Sequence, residues 1–179
     1  MPYAGLLITD GKVSKFIEEL ITVGGFNKVN SLASGNRALM IIEGKAGHYI
    51  RDTGGFAKWD TSGPQAVIEA YGGCMSKLPG FLQDKSFVSY THLKTTENLD
   101  VEPGVVHLSL SNARDKVAYK ALPKEYKETK ITATPKMVKE YSCLSGLVCL
   151  GKDNMDLKNI DTLHAAMQKV LKTHEPYYN

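Results

Sequence analysis

The chain has no apolar run of about eighteen residues, so no segment reads as a bilayer-spanning helix. It has little net charge, +3 from 22 basic and 19 acidic residues, and the Lys and Arg residues are scattered rather than striped. A nucleic-acid or membrane-surface partner gains nothing from that distribution. Its three cysteines, Cys74, Cys143 and Cys149, form no even framework and no metal-ligand spacing. They read as reduced, packed thiols of an intracellular protein. Met1-Pro2-Tyr3-Ala4 lacks the basic flank of a signal peptide and the Arg-rich character of a transit peptide, so a cytoplasmic location is the expectation.

What is present is an alternation of short apolar runs with amphipathic stretches. At 179 residues the chain reads as one domain, 1–179, long enough to bury a core. Ala4 to Thr9 suits a buried strand, ended by Asp10-Gly11. Val13, Phe16, Ile17, Leu20 and Ile21 recur at helical spacing and stop at Gly24-Gly25. Phe26 to Asn30 is a second strand. Ser34 reads as the N-cap of an apolar helix over Ala38 to Glu43, closed by Gly44. Arg37, in its first turn, has the charge and reach for a bidentate phosphate contact. Gly146 to Leu150 is a late buried strand, and Asp161 reads as the cap of a closing helix with Leu163, Met167, Val170 and Leu171 on one face. His164, without a partner at ligand spacing, reads as a surface or satisfied side chain. The rhythm is that of an α/β domain, a mostly parallel or mixed sheet flanked by helices.

The stretch carrying most information is Lys58-Trp59-Asp60-Thr61-Ser62-Gly63-Pro64-Gln65, running through an apolar helix to Gly72-Gly73. Ser62 and Gln65 stand at capping-box spacing, and Pro64 is tolerated in a first turn. That reading puts Asp60 just before a helix N-terminus, with Trp59 buried beside it. A carboxylate there either caps the helix or holds a hard cation beside a bound phosphate.

Trp-Asp-x-x-x-Pro, an apolar helix and Gly-Gly together resemble the second-half signature of the magnesium-dependent inositol monophosphatase superfamily, which includes inositol polyphosphate 1-phosphatases and 3′(2′),5′-bisphosphate nucleotidases. Ala33, Ser34, Gly35 and Asn36 match the nucleotidase Gly-Gly-Ala-Gly-Asn-Lys-like loop position by position, with Arg37 in place of the lysine. Ile41 to Ala46 and Tyr49-Ile50-Arg51 continue the likeness. The resemblance runs nearly without gaps from Gly5 to Gly73 and fades afterwards. It implies a domain like the C-terminal half of that fold, with 81–137 a family-divergent excursion. It implies Asp60 as catalytic metal ligand for Mg²⁺, Ala33, Ser34, Gly35, Asn36 and Arg37 as phosphate and sugar contacts, and Arg51 as a base-side contact.

One family feature has no counterpart here, the Asp-Pro-x-Asp-Gly-Thr loop that supplies most of the metal carboxylates. The expectation is therefore a second-half layer that is active on a phosphorylated small molecule, an adenosine bisphosphate or inositol phosphate, only when a first-half polypeptide completes it. Two other readings stand beside it: a catalytically inactive subunit of a larger assembly, and a phosphate-binding module without turnover. An uncovered apolar face, and with it association into a homo-oligomer or with a partner, is expected in the first two.

Overall fold

The computed structural model describes residues 5–9, 13–31, 33–52, 56–57, 59–90, 142–143 and 146–176. The expected strand at Val105–Leu110, the stretch 122–136 and most of the 81–137 excursion lie outside them.

The chain opens with β1 (Gly5–Thr9), α1 (Lys15–Gly24), β2 (Asn27–Ser31), α2 (Ser34–Ile42) and β3 (His48–Arg51). Then come β4 (Phe56–Ala57), α3 (Trp59–Ala70), β5 (Cys74–Lys77) and α4 (Leu78–Asp84). The last described elements are β6 (Ser142–Cys143), β7 (Leu147–Leu150), a 3₁₀ turn at Lys152–Asn154 and α5 (Leu157–Val170). The α/β character expected from the sequence holds. No helix among the described residues is long and apolar enough to cross a membrane.

Five strands form one sheet in the order β2-β1-β3-β7-β5, and β4 pairs with β6 apart from it. β1 runs parallel to β2 and β3, while β7 runs antiparallel to both β3 and β5. β5 therefore points the same way as β3. The register aligns Arg51 with Leu147 and Leu147 with Lys77, so the carboxyl ends of β2, β3 and β5 meet the start of β7 along one edge.

Alternation along the strands divides the core into two layers. Ile50, Val148 and Leu150 face Phe16, Ile17 and Leu20 of α1, Phe81 of α4, and Leu163, Met167 and Val170 of α5. Tyr49, Met75, Leu147 and Cys149 face Ala38 and Ile41 of α2 and Ile68 of α3. Gly146 allows β7 to begin here, because a Cβ at that position would stand 2.4 Å from the Arg51 carbonyl oxygen. Its own carbonyl accepts from the Leu78 amide and the Tyr90 hydroxyl, both at 2.8 Å.

Helix ends follow local chemistry, although not always at the expected residue. Ser14 caps α1 by accepting from the Ile17 amide at 3.1 Å, and Gly25 (φ 64°) closes it. α5 starts at Asp156 rather than Asp161: the Asp156 carboxylate accepts the Asn159 amide at 2.9 Å. Asp161 lies within the helix and pairs with Lys85 at 2.7 Å. His164 is satisfied by the Leu82 carbonyl at 3.1 Å. Ser34 is the first residue of α2, not its cap, and the capping position is Ala33, which offers no side-chain bond.

α3 departs furthest from expectation. It begins at Trp59, a full turn before Ser62, so the Ser62/Gln65 capping box is not what starts it. Pro64 lies inside the helix, where it cannot supply the amide that would normally close the turn on residue 60. Gln65 is buried and donates to Glu69 at 3.0 Å. Asp60 consequently sits in the first turn of α3 rather than ahead of it. Trp59, expected to be buried, is 65% exposed, because at the first position of this helix its side chain falls on the outer face.

Candidate functional site

The turn from β2 into α2 is built around Arg37. Arg37 as a whole is only 7% exposed. Nε and Nη2 both donate to the Ser31 carbonyl, at 3.3 and 2.9 Å, and Nη1 donates to the Tyr49 hydroxyl at 3.3 Å. The guanidinium carbon also lies 5.2 Å from the Tyr49 ring centroid, within cation–π range. Asn36 ties the same turn by donating to Ser31 Oγ at 2.9 Å. Between these anchors Ala33 holds φ 59° and ψ 140°, close to a region that essentially only glycine populates without strain.

Beyond the turn, α2 and α3 pack side by side and bring their first turns together. The Ser34 hydroxyl stands 3.4 Å from Asp60 Oδ1, longer than a full-strength hydroxyl–carboxylate bond and close enough to place both groups in one mouth. That mouth is a cavity of about 170 Å³ lined by Ala33, Ser34, Arg37, Tyr49, Arg51, Asp60 and Leu147. It lies at the edge of the sheet that holds the carboxyl end of β3 and the start of β7, the kind of edge where open α/β sheets gather ligands.

Of the residues singled out in the sequence, Ala33, Ser34, Arg37, Arg51 and Asp60 line this cavity. Gly35 and Asn36 are exposed on α2 and do not line it, although Asn36 shapes the turn. Sequence reasoning passed over Tyr49 and Ser31 as parts of the site. Tyr49 is visible only as one residue of an apolar strand; its hydroxyl matters because β3 turns it toward Arg37. Burial raises the Tyr49 phenol above its usual range, with Arg37 and then Arg51 opposing the shift, so at neutral pH it is a neutral acceptor and donor.

The arrangement offers an anion a helix N-terminus and two guanidiniums, and offers a cation one carboxylate. Among the described residues no group of three or more His, Cys, Asp or Glu side chains comes together as metal ligands. Mg²⁺ requires near-octahedral oxygen coordination. Asp60 alone does not meet that need, so these residues by themselves do not form a Mg²⁺ site.

Cys74 and Cys149 take no part. Burial pushes the Cys74 thiol up to about 11, and Cys149, fully enclosed, higher still, so both are protonated and inert as nucleophiles at neutral pH.

An α/β sheet with an anion-suited mouth at its carboxyl edge is the class of protein that fold and site define. Among known proteins, the chain is 30% identical over 116 residues to 3′(2′),5′-bisphosphate nucleotidase 1 of Homo sapiens, covering 62% of this chain and 35% of that protein. The Rattus norvegicus and Mus musculus proteins of the same name are each 31% identical over 78 residues, 44% of this chain and 23% of theirs. The chain thus spans about a third or less of the length of these curated relatives. No family model matches it. This partial similarity links the chain to the bisphosphate nucleotidases over the matched stretch.

Proposed function

We propose that this chain provides the C-terminal-half-like layer of a phosphomonoesterase of the bisphosphate nucleotidase or inositol polyphosphate phosphatase type. In this reading residues 1–179 act as one domain of that fold, and the 170 Å³ mouth receives a phosphorylated small molecule. The single observation that carries the reading is the convergence of Ser34, Arg37, Arg51 and Asp60, from three separate elements, on one cavity at the carboxyl edge of the sheet. The phosphate lies against the first turn of α2 and the positive field of the two arginines, and Arg51, at the end of β3, faces the base or ring side. Asp60 contributes one carboxylate to a Mg²⁺ site whose remaining ligands come from a completing segment, in the same or another polypeptide. Without that segment the layer binds and orients but does not turn over.

The outer face of α3 favours a second reading in which the chain is an inactive subunit of an assembly. Trp59, Val67 and Tyr71 are exposed there, as an interface would require, whether or not chemistry takes place. Asp60→Asn separates the two. The enzyme reading expects turnover of adenosine 3′,5′-bisphosphate to vanish in the completed protein while folding persists. The subunit reading expects assembly and every other property to remain unchanged.

A further inference from the structure

We propose that Arg37 is a positioning residue, a buried clasp that holds Ala33 in its glycine-like backbone conformation and thereby aims Ser34 and the α2 N-terminus into the cavity. The inference rests on reading that cavity as a phosphate mouth. A side chain meant to grip a phosphate directly would present its planar fork to the opening. Arg37 instead turns Nε and Nη2 back onto the Ser31 carbonyl, two residues before Ala33, and Nη1 onto Tyr49 of β3. One end of the strained turn is thus pinned through Ser31, and the whole turn is fastened to β3, two strands away in the sheet. The other end is fixed because the Ala33 carbonyl accepts the Arg37 amide at 3.3 Å, the first bond of α2. The same residue therefore closes the loop around Ala33 through its backbone and its side chain. Backbone strain of this kind persists only where the surroundings over-determine it. The charge of Arg37 still reaches the cavity, but its hydrogen bonds go into shape.

The chemistry predicts an asymmetry between Arg and Lys. A lysine keeps the charge and loses the fork, since a single ammonium cannot serve the Ser31 carbonyl twice and Tyr49 once in the same geometry. It also predicts coupling between positions 33 and 37, because glycine at 33 removes the strain that the clasp restrains.

The experiment is a double-mutant cycle on the whole chain, with Ala33→Gly, Arg37→Lys and the double variant. Thermal melting and calorimetric titration with inorganic phosphate are the two readouts. Arg37→Lys is expected to melt lower and to bind phosphate about tenfold more weakly, the size of one lost charged hydrogen bond. In the Ala33→Gly background both losses should shrink to about half or less, as coupled sites require. Additive melting losses would overturn the clasp, whatever phosphate does. Coupled melting with phosphate affinity unchanged by Arg37→Lys would overturn its positioning role and leave Arg37 a packing residue. If the wild-type chain binds no phosphate while melting remains coupled, the clasp stands and the phosphate-mouth reading falls.

Discussion

The outer faces of α3 and α5 make opposite statements about their surroundings. On α5 the exposed positions are Lys158, Asp161, Thr162, Ala165 and Lys169, with Leu157 a lone apolar residue in the first turn. On α3 and the turn that follows they are Trp59, Gly63, Ala66, Val67, Ala70 and Tyr71, interrupted only by Glu69. Leu39 of the adjoining α2 is exposed as well. A helix with one apolar stripe is finished by solvent, whereas a helix apolar on both sides is the mark of a buried one. Among the described residues, the outer face of the α1–α4–α5 layer is mainly polar and exposes large apolar side chains only singly, Val23 and Leu157. The α2–α3 layer, which also carries the cavity, has its inner face packed and, among the described residues, an outer face that is apolar and exposed. The exposed apolar face and the cavity belong to the same α2–α3 layer, a coincidence that agrees with the completion proposed above.

The largest effect separating the two helices should come from their buried and outer faces. Leu163→Ala, at 1% exposure in the α1–α4–α5 layer, is expected to lower unfolding free energy by ~2–5 kcal/mol in urea titration. Val67→Ala on the outer face of α3 should change it by no more than about 0.5 kcal/mol. Equal losses would mean that α3 is covered in solution, and would break the comparison.

A second test concerns how dry the α1–α4–α5 layer is. His48, 5% exposed, lies edge-on to Phe26 with a backbone bond to Gly5, and its Nδ1 has no hydrogen-bond partner in the structure. Burial lowers it to about 4, against 6.5 for the free side chain. The unfolded chain therefore binds more protons than the folded one between these values. The contribution is fully present above about pH 6.5, falls as pH drops toward about 4, and is then constant, a loss of ~3 kcal/mol in all. Comparing wild type with His48→Leu across pH 4–7 should show this slope only in the former. Parallel curves would mean that the ring is solvated.

Smaller effects belong to the helix starts. Ser14→Ala and Asp156→Ala should each cost ~1 kcal/mol by removing a cap, measured by thermal melting. Ser62→Ala should cost little, because α3 begins three residues earlier. The smallest change in stability, and the most telling in behaviour, is expected at Trp59 and Tyr71, 65% and 61% exposed. The Trp59→Ser/Tyr71→Ser variant should keep its melting temperature within a few degrees and lose any self-association seen by sedimentation. Unchanged sedimentation of an associating protein would place the contact elsewhere.

How much of this was legible in the sequence depends on how local each cause is. The strands at Gly5–Thr9 and Leu147–Leu150 and the stripes of α1 and α5 follow from apolar runs and periodicity, which a single chain displays directly. The start of α3 did not, since Ser62, Pro64 and Gln65 carry a capping signal as strong as any, while the packing of α2 against α3 draws the helix a turn further back. Asp156 and Asp161 are equivalent as letters, and only the side chain that accepts the Asn159 amide distinguishes them. The approach of Ser34 to Asp60 depends on the packing of α2 against α3, since α3 follows β4, which lies outside the five-stranded sheet. The inward turn of Arg37 was not anticipated, because its partners Ser31 and Tyr49 lie six and twelve residues away and meet it only after the sheet has formed. The exposure of Trp59 was also hidden, since hydrophobicity alone does not say which face of a helix a residue takes.

The most direct measurement is release of phosphate from adenosine 3′,5′-bisphosphate in Mg²⁺, by this chain alone, by the chain joined with a polypeptide carrying an Asp-Pro-x-Asp-Gly-Thr loop, and by the same pair with Asp60→Asn. The completion reading expects no turnover alone, turnover on joining, and its loss in the Asp60→Asn pair with folding and association intact. Turnover by the isolated chain, or a joined pair indifferent to Asp60, would contradict it.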